Sequence, residues 1–263
     1  MVQPHLHREK ASAMKIGIGI STYNRLFYLK QVVQCVKQYT MTPYSFIVSS
    51  DGSVDGTNQW LLKNQIPCIL GPNKGVCYNK NRILTALQHC DYVLLLEDDI
   101  CPKNKGWMGA YLQGISDSGY QHFCYKMGRV TRATRVQYPK CALLLSHNVS
   151  GLLMIFTKQV LERCGGFNLL YSGYGYGHIE MSMRIMQAGL SHKTLFADVL
   201  EGHLNMRVLP DLNQLNVMQQ KSKMKKCASN KRRLKQFKKW STKNPEQYRY
   251  CDYHVPIKIY GAV

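Results

Sequence analysis

The sequence predicts an α/β fold built on a mostly parallel sheet, and three observations carry that prediction. Strand-length apolar runs alternate with segments of helical apolar spacing through the first hundred residues, the pattern of successive βαβ units with right-handed crossovers. The run Val93-Leu94-Leu95-Leu96 is apolar without alternation, as a strand covered on both faces must be. Polar segments follow the strands at Ser21–Arg25, Asp51–Thr57 and Glu97–Asp99, and ligands of open α/β sheets gather at such carboxyl ends.

Taken in order, Lys15–Ser21 alternates Ile with small residues and reads as the first strand, and Leu26–Tyr39 as a helix. Tyr44–Val48 is the second strand. The turn-rich Ser49–Thr57 follows, with Asp55 placed to cap a helix running through Lys63. Pro67–Leu70 is a short third strand, Gly75–His89 a helix, and the acidic strand comes next. Cys101–Ser146 gives little pattern beyond a helix over Trp107–Gly114. Gly151–Phe156 is a strand, and the helix after it ends at Cys164–Phe167. Gly and Tyr alternate from Tyr171 to Gly177 and open onto another helix, whose Met181, Ile185 and Leu190 suit a core. From Lys221 to Lys239 ten Lys or Arg occur with no acid, which reads as one or two basic helices with a partial apolar face, before a polar tail with Tyr248, Tyr250 and Tyr253.

The length of 263 residues and 45% hydrophobic content suit one large domain with an appendage. No uninterrupted apolar run of membrane-spanning length occurs, and Met1–Ala13 lacks the apolar centre of a secretory signal. Ten cysteines without CxxC pairs argue against a zinc ribbon or a disulfide framework and point to a reducing cytoplasm; the sequon Asn148-Val149-Ser150 is read as chance. A net charge of +20 favours an anionic partner: nucleic acid, anionic lipid or an acidic polymer.

Three carboxylates closing a buried strand repel one another, and hard oxygen donors so crowded ordinarily hold a divalent cation. Asp51, in the loop after the second strand, can accept hydrogen bonds from a base edge or ribose hydroxyls. Lys80 can approach a diphosphate.

The motifs Ser21-Thr22-Tyr23-Asn24-Arg25, Asp51-Gly52-Ser53-Val54-Asp55-Gly56-Thr57, Asn73-Lys74-Gly75 with Asn79-Lys80-Asn81, and Leu96-Glu97-Asp98-Asp99 occur in that order. Together they resemble the successive motifs of GT-A fold glycosyltransferases, family 2 in particular. The resemblance implies a GT-A, Rossmann-like, mostly parallel sheet over residues 14–205, a polar extension over 1–13 and a basic helical extension over 206–263. It implies a nucleotide-sugar donor held by Thr22, Tyr23, Asn24, Arg25, Asp51, Gly52, Lys80, Glu97 and Asp98. Glu97-Asp98-Asp99 stands for the DxD motif, with Asp99 as a metal ligand.

The segment Gly177–Arg184 is similar to the acidic stretch that carries the general base of inverting GT-A enzymes. Counting back from Arg184, the base falls on His178, with Glu180 at a further acidic position, so either His178 or Glu180 takes the proton. The resemblance also makes His203, in Glu201-Gly202-His203, a metal ligand after the last core strand. Mixed oxygen and nitrogen ligation suits Mn²⁺ better than Mg²⁺.

The expected activity is metal-dependent, inverting transfer of a sugar, UDP-linked, to a hydroxyl of an acceptor glycan, an anionic polymer or a lipid-linked saccharide. The basic stretch 221–240 would meet an anionic membrane surface or nucleic acid, placing the protein in the cytoplasm or at the inner face of a membrane. Two other readings stay open: transfer to a modified nucleic-acid base, and a GT-A binding protein that has lost catalysis, since Gly177-His178 replaces the usual acidic pair.

Overall fold

A computed structural model describes residues 14–126, 128–173, 175–210, 217–244, 247 and 249–262. The polar segment 1–13, Tyr174 and Tyr248 lie outside the described residues. The first seven elements follow the expected series: β1 (Ile16–Thr22), α1 (Leu26–Tyr39), β2 (Ser45–Asp51), α2 (Thr57–Lys63), β3 (Cys68–Gly71), α3 (Val76–Ala86) and β4 (Tyr92–Glu97). Then come β5 (Ile100–Pro102), α4 (Trp107–Ser118), β6 (His122–Lys126), a 3₁₀ turn, β7 (Thr134–Gln137), β8 (Ala142–Ser146), β9 (Val149–Thr157) and α5 (Lys158–Cys164). The last are α6 (Gly177–Gln187), β10 (Phe196–Val199), α7 (Leu200–Leu204), β11 (Met206–Val208), α8 (Val217–Lys243) and β12 (Ile259–Tyr260).

The main sheet has the order β12-β3-β2-β1-β4-β9-β6. Strands β1 to β4 run parallel, whereas β9 is antiparallel to both β4 and β6, and β12 is antiparallel to β3. The unpatterned middle segment thus supplies β6 to this sheet, and β7 and β8 to a small sheet with β10.

The Ile/Gly alternation of β1 has a packing cause. Ile16, Ile18 and Ile20 face one core with α1, while the glycines leave room for α3 on the other face. A Cβ on Gly19 would stand 2.1 Å from the Ile83 Cγ2 atom, closer than any pair of carbons tolerates. In β4, Leu94 and Leu96 join that first core, and Val93 and Leu95 the second, so both faces are covered as the apolar run predicted.

The chain beyond β10 returns to the sheet. The basic stretch is one 27-residue helix, α8, whose Leu234 and Phe237 enter the second core. The tail is not wholly polar surface: Tyr253 is buried, the Gly166 amide donates to the Cys251 carbonyl, and β12 closes the β3 edge. All ten cysteines are free thiols and seven are buried, where a thiol packs as a small apolar side chain. Among the described residues no helix is long and apolar enough to cross a membrane.

Candidate active site

The carboxyl ends of β1, β2 and β4 meet α3, whose run Asn79-Lys80-Asn81-Arg82 is buried although every member is polar. Each has a structural partner, as burial of such groups requires. Asn79 donates to the Ser49 carbonyl at 2.8 Å and the Ser21 hydroxyl at 3.0 Å, tying β1 to β2. Asn81 exchanges hydrogen bonds with the Phe167 backbone at 2.8 and 2.9 Å. Arg82 donates to Asp51 Oδ1 at 3.2 Å and to the Pro72 carbonyl at 2.9 Å.

Asp51 also accepts the backbone N–H groups of Lys74 and Gly75, both at 2.9 Å. Its carboxylate therefore fixes the turn between β3 and α3, with both oxygens engaged. Gly52 has φ +77°, and a Cβ there would lie 2.6 Å from the Asn73 nitrogen, so only glycine allows the two turns to touch. Asn24 stitches the β1 turn to the β2 turn: its amide donates to Ser53 Oγ at 3.0 Å, and its Oδ1 accepts the Val54 amide at 2.7 Å. Tyr23 stands exposed at the rim.

The repulsion among the three acids is met here by cations of the chain itself. Lys80 Nζ pairs with Glu97 Oε1 at 2.5 Å and donates to the Gly151 carbonyl at 2.9 Å. Arg25 spans the other two, with Nε 3.3 Å from Asp98 Oδ1 and Nη1 3.1 Å from Asp99 Oδ2. The Thr22 hydroxyl donates to Asp98 Oδ2 at 2.6 Å. Burial pushes the Asp98 carboxyl up to about 7; Arg25 and Thr22 oppose the shift, while Glu97 and Asp99 add to it. Burial likewise raises Glu97 despite the Lys80 ammonium. These are hard oxygen donors in a setting that calls for positive charge, so they fit a divalent cation. Among the described residues no group of three or more His, Cys, Asp or Glu converges, so a metal here would need further ligands from its substrate.

Gly151 on β9 is where the opposite wall forms. A Cβ there would lie 3.2 Å from His178 Cβ and Cγ and 3.2 Å from Lys80 Nζ. His178, half-buried at the start of α6, thus stands across Gly151 from the Lys80–Glu97 pair. Burial, then the Lys80 ammonium, pull its imidazole down to about 4, so it is neutral at pH 7. Glu180 lies elsewhere: it is fully buried, and Arg184 Nε donates to its Oε1 at 2.9 Å. Arg184 also donates to the Cys164 and Gly166 carbonyls.

His203 sits on α7, its Nδ1 2.8 Å from Asp198 Oδ2 and its ring stacked on Tyr125 at 4.4 Å between centroids. Asp198 is buried and accepts in addition from Tyr111 Oη and the Lys126 and Val199 amides. The return of the chain beside the acidic turn is fixed by β11, which pairs with β5, and by the Leu209 amide, which donates to the Asp99 carbonyl at 2.7 Å. Arg82 and Asp198 escaped the sequence reading. An acid inside the otherwise apolar strand Phe196–Val199 was the available signal for Asp198.

A sheet parallel over β1 to β4, with acids and cations at its carboxyl edge, is in keeping with the class that the family match defines: a glycosyltransferase of GT-A fold. The model of the glycosyl transferase family 2 matches residues 18–169, more than half of the chain, and the chain belongs to that family. Among solved structures, the mannosyltransferase PcManGT from Pyrobaculum calidifontis, in complex with GDP-Man and Mn²⁺, is 17% identical with a TM-score of 0.50. That match covers 67% of this chain and 53% of the other. S. aureus TarS 1-349 in complex with UDP-GlcNAc is 18% identical with a TM-score of 0.48, over 74% of this chain and 55% of TarS. The chain thus spans little more than half the length of either. None of the curated proteins matches it in sequence.

Proposed function

We propose that this chain transfers a sugar from a nucleotide-diphosphate donor to an acceptor hydroxyl, with inversion, and that His178 is the proton acceptor. The observation that carries the reading is the wall at Gly151, where a neutral imidazole faces the cation–carboxylate pair at the end of β4. The acceptor oxygen attacks the anomeric carbon, the bond from that carbon to the diphosphate oxygen breaks, and its electron pair leaves with the nucleoside diphosphate. The acceptor's proton passes to the His178 ring nitrogen that is not bonded to the Val149 carbonyl. Lys80 stands where it can meet diphosphate charge, and Tyr23, at the rim, can cover a nucleoside. Glu180, sealed in its ion pair, has a structural role in this reading.

A divalent ion, when bound, supplies positive charge to the leaving diphosphate. Asp99 would hold it, with Asp98 beside it. His203 is kept as a further candidate ligand: among the described residues it does not converge with the carboxylates into a group of three, but the Asp198 carboxylate on its Nδ1 is the usual orienting partner of a ligating imidazole. A nitrogen ligand would favour Mn²⁺ over Mg²⁺.

The test is a thermal-shift comparison of UDP, GDP and their sugars, each with and without Mn²⁺. Native-state binding raises apparent stability by about 2.7 kcal/mol at a hundredfold excess over Kd. We expect a metal-dependent shift with one nucleotide, the UDP series being the first to try, and its loss in Asp99→Ala. Absence of any nucleotide-dependent shift would leave only the binding-protein reading.

The acceptor side is proposed to be anionic. On α8 the exposed Lys221, Lys225, Arg232, Lys239 and Lys243 recur at helical spacing opposite the buried Asn230, Leu234 and Phe237. This stripe is about 33 Å long at the helical rise. Leu234, Phe237 and Trp240 pack against the domain and Met224 stands exposed, so among the described residues of the helix little is left to insert into a bilayer. Asn230 donates to the Ser172 and Gly175 carbonyls, both at 3.1 Å, so α8 braces the loop that leads to His178.

A purely cationic stripe also favours the second reading, a nucleic-acid acceptor gripped by its phosphates. In that case duplex binding should weaken steeply with salt, by a log–log slope of about −0.9 per phosphate contact. Replacing Lys225, Arg232 and Lys239 together with Gln should then flatten the slope by about 3. Binding indifferent to salt and to these substitutions would remove the nucleic-acid reading.

A further inference from the structure

Arg25 occupies the charge centre of the acidic turn. Its guanidinium bridges Asp98 Oδ1 at 3.3 Å and Asp99 Oδ2 at 3.1 Å, and its carbon lies 4.5 Å from the centre of the Tyr28 ring. The backbone that carries it is fixed. The Arg25 carbonyl accepts the Tyr28 and Leu29 amides at the start of α1, both at 3.0 Å, while Asn24 is tied to the β2 turn. The side chain alone is partly exposed, at 21%, with a flexible stem and a ring face to slide on. Its carboxylate partners are the oxygens that a hard divalent cation would use.

We infer that Arg25 is a competing counter-cation that makes metal binding at Asp99 conditional on the nucleotide diphosphate. The inference rests on the nucleotide-sugar reading above. A divalent ion and a guanidinium compete for Asp99 Oδ2 and repel each other across the few ångströms between their sites. A metal arriving alone must therefore break the contacts of Arg25 to Asp98 and Asp99 without offering it another anion. A metal arriving with a diphosphate brings that anion, which the planar fork of a guanidinium accepts in two-point geometry. Arg25 would leave the carboxylates for the phosphates, and the emptied oxygens would turn to the metal. By linkage, the factor by which the diphosphate tightens the metal equals the factor by which the metal tightens the diphosphate.

This device has a use in the chemistry. Metal and leaving group enter and depart as a unit, and the acids stay neutralised between turnovers. Without Arg25 the turn would hold two adjacent carboxylates with less positive charge beside them whenever the donor is absent, inviting any divalent ion of the medium.

The test is equilibrium Mn²⁺ binding to the full chain, read from the electron paramagnetic resonance signal of free Mn²⁺, with and without UDP or GDP. Wild type is compared with Arg25→Gln and, should that variant fail to fold, with Arg25→Met, which keeps the stem over Tyr28. Lys30→Gln, a cation on the same helix that faces the Trp60 ring, controls for loss of one positive charge. We expect wild type to bind Mn²⁺ weakly alone and tightly with one nucleotide. The Arg25 variants should bind Mn²⁺ alone about tenfold more tightly, the scale of one charge-assisted hydrogen bond, and the tightening by nucleotide should shrink by a similar factor. Lys30→Gln should match wild type. If wild type binds Mn²⁺ with nucleotide but the Arg25 variants gain no affinity for Mn²⁺ alone, the inference is overturned and the metal reading stands. If no variant binds Mn²⁺ under any condition, both fall.

Discussion

His178→Ala lowers kcat by about 10²–10⁴-fold, the range for loss of a positioned general base, while the nucleotide- and metal-dependent thermal shift persists. The separation follows from the geometry. In the proposed reaction His178 accepts the proton across Gly151 from the acidic turn, whereas Asp51 is held by the Lys74 and Gly75 amides and Arg82, and Asp98 by Arg25 and Thr22. Its titration gives an independent readout. The folded protein holds the imidazole at about 4, whereas an unfolded chain protonates it near 6.5. In the window between, the unfolded state binds more protons, so this group lowers stability progressively as pH falls from about 6.5 to 4. The imidazole is mostly neutral until the pH approaches 4. The acid limb of kcat/KM that belongs to His178 should therefore lie near 4 in the free enzyme. His178→Ala should flatten the acid slope of stability, followed by urea denaturation at several pH values. A variant that keeps a tenth or more of wild-type kcat would remove His178 from the base role.

The parts of this fold that were legible in the sequence are those that local pattern determines. The apolar run of β4 announces burial on both faces, and the alternation of Ile with small residues announces β1 as a strand, while the packing of α3 on its glycine side is seen only in the structure. The four motifs were legible for the same reason, since each closes one strand and its turn chemistry is local. What was not legible depends on contacts across the chain. Asn79-Lys80-Asn81 was legible as a motif with Lys80 directed to a diphosphate, but not that the strand ends and the Phe167 turn close over Asn79–Arg82 and convert each side chain into a strut. Asp51 was expected to meet a nucleoside, and its oxygens are found holding the β3–α3 turn and Arg82. The divalent cation inferred from carboxylate crowding has, in this structure, Arg25 and Lys80 as counterparts, which stand 73 and 17 residues before Asp98 and Glu97. The return of the tail to the β3 edge follows from no local periodicity, because a two-residue strand has none.

One local signal was present and weighed too lightly, and it leads to the second large effect. Glu180 and Arg184 stand at i and i+4, the spacing at which opposite charges meet on a helix. Here the pair is buried entirely, so it behaves unlike a surface bridge: the cost of taking both charges out of water offsets much of their attraction. Removing one partner is a different matter. Arg184→Met takes the paired cation from the buried Glu180 carboxylate, strips the Gly166 carbonyl of the guanidinium and leaves the Cys164 carbonyl the Cys251 amide alone. We expect a loss of about 3–5 kcal/mol, the scale for breaking a buried pair from one side, measured by urea denaturation with the slope monitored for two-state behaviour. The double variant Glu180→Leu with Arg184→Met removes both charges and should recover a large part of that loss, because an apolar replacement of similar volume carries no desolvation cost. A single variant costing less than 1 kcal/mol would show the pair to be solvated after all. The same double variant separates the two candidate bases. If it folds and turns over while His178→Ala does not, the proton goes to His178, and Glu180 serves the fold by holding Arg184, which ties α6 to the Cys164 and Gly166 carbonyls.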